Sequence, residues 1–213
     1  MMEFEIISTG SKGNAVVLDR SILVDCGVPF KRLLDVYKDL RLVLLTHSHG
    51  DHFQAKTIAR LAAERPTLRI ACCPWLGPSV QDAGVPLRQI DILYPSTWYE
   101  YGLCRVRADE TVHDVRNCCW HIFTKAEKAF YATDTCNLNG IDAKGYDLYM
   151  VEANYIDEEI REKIAEKKLN GEFIYEKRVL REHMSKKTAD DWLYSQMSPN
   201  SAYIYMHCHR DSE

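Results

Sequence analysis

No cysteine of this 213-residue chain stands in a Cys-x-x-Cys pair, although there are eight: Cys26, Cys72, Cys73, Cys104, Cys118, Cys119, Cys136 and Cys208. Paired redox or zinc-ribbon cysteines are not indicated, and free thiols in a reduced, cytoplasmic setting are the simplest reading. No apolar stretch approaches the about 18 residues that a membrane-spanning helix needs. The opening residues, Met1-Met2-Glu3-Phe4-Glu5-Ile6-Ile7, offer neither a basic segment nor a long apolar core, so no signal peptide is expected. Basic charge is also short: 27 Lys and Arg face 31 Asp and Glu, a formal charge of -4. A protein that grips a long duplex through its phosphates is more often basic. The balance leans toward a small anionic substrate, although bound divalent metals would make a cleft locally positive whatever the net charge. Internal repeats and linker-like segments are lacking too. With 46% hydrophobic residues, the length suits one domain over residues 1–213 with a sizeable core.

What is present is an alternation of short apolar runs and amphipathic segments. Strands are predicted over residues 4–7, 15–18, 22–25, 42–45, 69–72, 90–93 and 104–107, with a Gly-rich turn at residues 8–14. Helices are predicted over residues 31–39, 54–64 and 76–83. In the second half, residues 121–124 and 129–132 read as paired strands, followed by strands at 148–152 and 202–206. Helices are predicted at 157–168, charged and exposed, and at 187–197, with Ser185 as N-cap. Strands in both halves with helices between them fit an α/β/β/α sandwich of two mixed sheets.

The most informative segment is Thr46-His47-Ser48-His49-Gly50-Asp51-His52. It follows the apolar run Leu42-Val43-Leu44-Leu45 directly, so three imidazoles and a carboxylate leave the end of a buried strand. Such ligands suit Zn²⁺, Mn²⁺ or Fe²⁺. His47 and His49, two apart, can converge on one metal from an extended backbone. Asp51 and His52 lie further round the turn and can face a second. Four more chemistry-bearing residues fall at strand-to-loop junctions, where a rigid element can aim them into a shared cleft: His113, Asp134, His183 and His207.

His-x-His-x-Asp-His after a strand resembles the signature of the metallo-β-lactamase superfamily. From Ser8 to His207 the chain is similar to its small phosphodiesterase branch, which includes ribonuclease Z, the YycJ/WalJ-like proteins and phage enzymes that degrade cyclic nucleotides. The resemblance implies the αββα fold and two divalent metals. His47, His49 and His113 would hold the first, Asp51, His52 and His207 the second, and Asp134, in Thr133-Asp134-Thr135, would bridge them. Asp51 would also orient the nucleophile. Glu182-His183-Met184-Ser185 resembles the branch's phosphate-contacting motif, and Glu152-Ala153-Asn154 its preceding Glu-Ala motif. His183 is then the phosphate contact and leaving-group acid, oriented by Glu152; the assignment with His183 and His207 exchanged stays open. A Ser usually stands two positions after the final ligand in this branch, and here that position is His209.

Other features carry alternatives. The Gly10–Asn14 turn resembles the Gly-rich turn near the site in YycJ-like proteins. Its backbone N–H groups, with Ser11 and Asn14, would contact substrate, as would Ser185; a plain hairpin-type turn accounts for it equally well. Lys186 and Lys187 either favour phosphate or form a solvated face. Trp98, Tyr99 and Tyr101 either stack on a base or pack in the core or a dimer interface, and Cys208 is a candidate for an adventitious metal contact. His121 receives no role. The expected activity is a dinuclear phosphodiesterase on nucleotide substrates, cyclic mononucleotides slightly favoured. The alternatives are a YycJ-like DNA or RNA nuclease, a thioester or lactam hydrolase, and a metal-binding module without hydrolytic activity. A homodimer is expected, because subunits in this branch commonly complete each other's pocket.

Overall fold

The computed structural model describes residues 2–208. Two six-stranded mixed sheets stack face to face, and their inner faces share one core. The first sheet runs in chain order: β1 (Phe4–Ser8), β2 (Ala15–Leu18), β3 (Ile22–Val24), β4 (Leu42–Leu44), β5 (Arg69–Cys72) and β6 (Ile90–Ile92). Its first three strands are antiparallel and the rest pair in parallel from β3 onward. Helices α1 (Ala55–Glu64) and α2 (Gly77–Asp82) connect the parallel strands, as crossovers between parallel neighbours require.

The second sheet is built from β7 (Tyr99–Tyr101), β8 (Cys104–Thr111), β9 (Asn117–Thr124), β10 (Lys128–Ala132), β11 (Leu148–Glu152) and β12 (Ala202–Met206). Strands β7 to β10 are antiparallel; β10, β11 and β12 pair in parallel. Three helices lie in the long crossover between β11 and β12: α3 (Asp157–Leu169), α4 (Glu176–Glu182) and α5 (Lys186–Gln196).

Strand alternation explains the layering. Val16, Leu18, Leu42 and Leu44 point between the sheets, against Val106, Trp120 and Met150. Their neighbours Val17, Val43 and Leu45 point outward to Ile58 and Leu61 of α1. Each such buried side chain contributes roughly 1.5–3 kcal/mol. Because both faces are covered, these strands read as continuous apolar runs. The second sheet repeats the scheme, with Phe130, Tyr149 and Val151 packed outward on Ala189 and Leu193 of α5.

Three elements depart from the sequence reading. The helix predicted over residues 31–39 is a 3₁₀ turn, Phe30–Leu33, followed by isolated turns. Val36 and Asp39 donate to carbonyls three residues back, whereas Tyr37 donates four back, so no helix propagates. Strand β7 and helix α4 were not predicted. The segments around His113 are longer than expected, β8 reaching Thr111 and β9 starting at Asn117.

Candidate metal centre

Six strand ends open on one rim. Asp25 follows β3, residues 46–52 follow β4, and His113 comes just after β8. Asp134 follows β10, Glu152 ends β11, and His207 follows β12. Asp25, Asp134 and His207 sit at φ of 58°, 53° and 52°. Non-glycine residues rarely adopt this left-handed region, and such strain concentrates where geometry is imposed by function.

The 46–52 loop is braced from behind by the Gly-rich turn. Asn14 donates its backbone N–H to the Asp51 carbonyl at 2.6 Å, and Cys26 donates to His52 at 2.8 Å. A Cβ on Gly27 would stand 1.7 Å from the Asp51 carbonyl oxygen, so only glycine permits this approach. The Gly10, Gly13 and Asn14 N–H groups are all spent within this bracing rather than offered to a phosphate. Asn14 is fully buried, and its side-chain amide lies 2.7 Å from His52 Nε2. It therefore reaches the His52 nitrogen that faces the metal site, and it is not among the residues lining the cavity in front of the rim. Ser11 does line the cavity in front of the rim.

Four overlapping donor groups converge there, each with its ligand atoms within 4.8 Å of one another: His47, His49 and His113; His47, His52 and Asp134; Asp51, His52 and His207; and Asp134, Glu152, His183 and His207. Every ligand and catalytic residue named from the sequence thus falls in one constellation. Asp134 is the hinge between the groups. Its Oδ1 is 4.0 Å from His113 Nε2 and 3.7 Å from His207 Nε2, and its Oδ2 is 2.6 Å from His52 Nε2.

Surrounding groups orient the imidazoles. His52 Nδ1 donates to buried Asp25 at 2.7 Å, directing Nε2 at the site. Asp25 is itself fixed by the Thr46 N–H and hydroxyl, at 2.9 and 2.8 Å. His113 Nδ1 donates to the Glu182 carbonyl at 3.1 Å, which leaves Nε2 with its lone pair inward. Glu152, fully buried, accepts from His183 Nδ1 at 2.6 Å and from the Thr135 N–H at 2.8 Å. The His183 and His207 rings stack with centroids 5.2 Å apart.

Among the described residues, two buried atoms of this constellation have no hydrogen-bond partner, His47 Nε2 and His207 Nε2, whereas Asp134 Oδ2 meets the His52 ring nitrogen at 2.6 Å. Buried polar atoms are rarely left unpartnered. Burial, reinforced by neighbouring His52, pulls His47 well below the usual histidine range, and burial lowers His113. Both therefore offer lone pairs at neutral pH. Burial alone would neutralise Asp134 and His52, but their mutual attraction wins, holding the carboxyl well below and the imidazole well above their ordinary values. Burial opposes the charge on His207 too, yet Asp51 and Glu152 lift it to about 10. Carboxylates that hold protons on imidazoles this way exchange those protons for a cation readily. The residues present fit divalent metal.

Residues 20–185 match the β-lactamase superfamily domain. The chain belongs to the metallo-β-lactamase superfamily. Members of this superfamily are typically metal-dependent hydrolases, and the rim described above is where this member carries its candidate metal site. A search of curated proteins finds no match. Solved structures share the superfamily fold at low identity. The metallo-β-lactamase fold protein YhfI from Bacillus subtilis superposes with a TM-score of 0.73 and 17% identity, over 99% of this chain and 88% of that one. Human short-form tRNase Z gives 0.70 and 16%, over 98% and 93%. Zn²⁺-bound PqqB from Methylobacterium extorquens gives 0.70 and 11%, over 98% and 89%.

Several sequence candidates lie outside this superfamily rim. Ser185 is buried and accepts the Thr188 N–H at 3.1 Å, so its hydroxyl caps α5, and it is not among the residues lining the metal cavity. Lys186 and Lys187 pair with Asp190 and Asp191 one turn along, which is the solvated-face alternative. Tyr99 and Tyr101 pack on the inter-sheet core, and Trp98 lies on Phe123, so none of the three lines the metal cavity. Cys208 joins none of the donor groups, and His209 lies outside the described residues.

Four residues receive no role from the sequence reading: Asp25, Asp114, Asn154 and Arg178. Asp25 and Asn154 support His52 and His207. Asp114 reaches both His49, at 3.3 Å, and His113, at 3.1 Å, and is held by Arg178 of α4 at 2.7 Å. Only Asp25 carried a usable signal, an acidic residue ending an apolar strand.

Proposed function

We infer that this chain is a dinuclear metal-dependent phosphodiesterase acting on nucleotide phosphodiester bonds. The observation that carries the reading is the His183–Glu152 pair. It shares a donor group with Asp134 and His207 but is absent from the two groups that contain His52 and from the group of His47, His49 and His113. A ligand set alone would serve many hydrolases; an imidazole anchored by a buried carboxylate beside it suits protonation of a leaving alkoxide.

His47, His49 and His113 would hold one ion and Asp51, His52 and His207 the other, with Asp134 shared. Bound there, two divalent ions supply Lewis-acid activation of water and neutralise charge on the phosphate. The remaining work falls to the chain. Asp51, facing the cavity, orients the attacking water. Glu152 accepts a hydrogen bond from His183 Nδ1 at 2.6 Å, which fixes the ring. His183 Nε2 is then the atom that holds a proton for the departing oxygen. His207 shares the Asp51 and His52 group, which favours it over His183 as ligand.

Small nucleotide diesters, cyclic ones included, are the favoured substrates, since a formal charge of -4 provides no broad basic track for a long nucleic acid. The likeness to tRNase Z keeps an RNA nuclease as the second reading. A homodimer belongs to the same proposal, and light scattering measures it. The deciding experiment is a panel of cyclic nucleotides, single-stranded DNA and RNA, bis(p-nitrophenyl) phosphate and a thioester, each with Mn²⁺ or Zn²⁺. Hydrolysis of diesters with the thioester untouched is the expected result. A thioester turned over in preference would overturn it.

A further inference from the structure

The metal cavity is small for what a nucleotide diesterase must hold. Its volume is ≈ 160 Å³, below the roughly 300–1,000 Å³ of usual small-ligand pockets. It has room for the phosphate and little more. A second cavity of ≈ 640 Å³ adjoins it, walled by α3, α4 and the end of β12. The two share Tyr175 and Val179 as wall residues. They are also tied through Asn154, which lines the larger cavity and contacts His207 at both its ring Nδ1, 2.9 Å away, and its carbonyl oxygen, 3.1 Å away.

The larger cavity has an aromatic and a polar character that the phosphate chemistry does not explain. Tyr155, Tyr175 and Tyr205 line it. Glu176, on the wall and largely buried, accepts from Lys167 Nζ at 2.5 Å through Oε1. Among the described residues, its buried Oε2 has no hydrogen-bond partner. Such an oxygen calls for an N–H donor. An acceptor beside a donor, between aromatic walls, complements the Watson–Crick edge of every nucleobase. Guanine offers N1–H beside O6, adenine N6–H beside N1, cytosine N4–H beside N3 and uracil N3–H beside O4. A nitrophenyl ester has no such edge, and a sugar phosphate, though its hydroxyls donate and accept, has no flat face for the tyrosines to cover.

We propose that this cavity is a nucleobase subsite, in which Glu176 Oε2 and Lys167 Nζ take the hydrogen-bonding edge of the base and the tyrosines cover its faces. As part of a catalytic cycle the proposal rests on the phosphodiesterase reading; as a binding site it stands on the cavity alone.

Inhibition of bis(p-nitrophenyl) phosphate hydrolysis by the Mn²⁺-loaded protein tests it. Nucleoside 5′-monophosphates should inhibit about tenfold more tightly than ribose 5-phosphate, which has the same phosphate and sugar but no base. Glu176→Ala should bring the two within about threefold of each other, with melting temperature and metal content reporting that the variant is folded. If that variant does not fold, Lys167→Ala, at a half-exposed position, replaces it under the same criterion. Equal inhibition by base-bearing and base-free compounds in the unaltered protein overturns the subsite, and so does full discrimination by a folded variant. Should the loaded protein hydrolyse no diester, the phosphodiesterase reading fails by itself. Equilibrium dialysis with the same monophosphates against ribose 5-phosphate then decides the subsite by the same margin.

Discussion

His121 and His207 are both buried and both face aspartates, yet they live in opposite regimes. His121, on the outer face of the second sheet, has both ring nitrogens engaged: Nε2 donates to Asp109 at 2.9 Å, and the Tyr146 hydroxyl donates to Nδ1 at 2.9 Å. Arg107 closes the cluster on Asp109 at 2.7 Å. His207, at the rim, has an Nε2 that meets only carboxylates 3.7 and 3.8 Å away. Leftover valence, more than residue type, separates a structural histidine from a working one. Among the described residues, His47 Nε2 shares the leftover, as a rim built to take a bound ion would leave it.

The largest effect that separates the two regions comes from Asp134, because it adjoins both halves of the donor set. Asp134→Ala should remove about 10³-fold or more of diesterase activity and lower metal content from two equivalents toward none, read by elemental analysis after reconstitution. His121→Ala should keep both metals and lose roughly 1–3 kcal/mol of stability by stranding Asp109 and Tyr146. Wild-type turnover by the Asp134 variant, or metal loss from the His121 variant, would erase the distinction.

The next effect lies within the rim. His183→Ala should retain both metals and lose roughly 10²- to 10⁴-fold in rate, the usual size of an acid–base contribution. The loss should shrink for a p-nitrophenyl ester, whose leaving group departs with little protonation, and be full for a ribose oxygen. His207→Ala should lose metal from the second site. The reverse pattern, with metal lost only from the His183 variant, exchanges the two roles.

That the rim was largely readable and its supports were not follows from how each is assembled. His47, His49, Asp51 and His52 are local in sequence, so spacing alone gathers them at the end of β4. His113, Asp134 and His207 each sit where an apolar run stops, which is also a local signal. Asp25 ends an apolar run, Asp114 adjoins His113 and Asn154 lies two residues beyond Glu152, but which imidazole each supports, and that Arg178 of α4 holds Asp114, is decided only by tertiary packing. Helix α4, seven residues of mostly charged sequence, has no amphipathic signature, yet it forms one wall of the metal cavity. Ser185 and Asn14 show the opposite case: each has a polar group that the sequence leaves free for substrate, and tertiary packing engages it in a helix cap and a loop brace.

A smaller, graded effect should come from Asp25. Asp25→Asn keeps the shape but weakens the acceptor that aligns His52, and such supporting partners are worth about 10- to 100-fold in metal affinity. Competition with a chelator measures it. An unchanged affinity would mean that Asn14 and the Gly27 contact position His52 without help from the carboxylate.

The smallest effect concerns the satisfied histidine. Burial, aided by the nearby Arg107 charge, outweighs the Asp109 bond and leaves the His121 pKa below its ordinary value. Above the unfolded value of about 6.5, both states carry a neutral ring and pH has no leverage through it. As pH falls through about 6.5, the unfolded chain takes up a proton that the folded protein refuses, so stability declines by up to about 1.4 kcal/mol per pH unit. The decline levels off once pH passes the folded value. His121→Gln removes this dependence. Denaturant unfolding of both proteins at pH 8 and pH 5 isolates it from the rim histidines, which are common to the two. The stability gap in favour of wild type should narrow at pH 5. A gap that widens there would mean that the folded protein binds the proton through Asp109, which would make His121 a charged partner like His207 and collapse the contrast between the two sites.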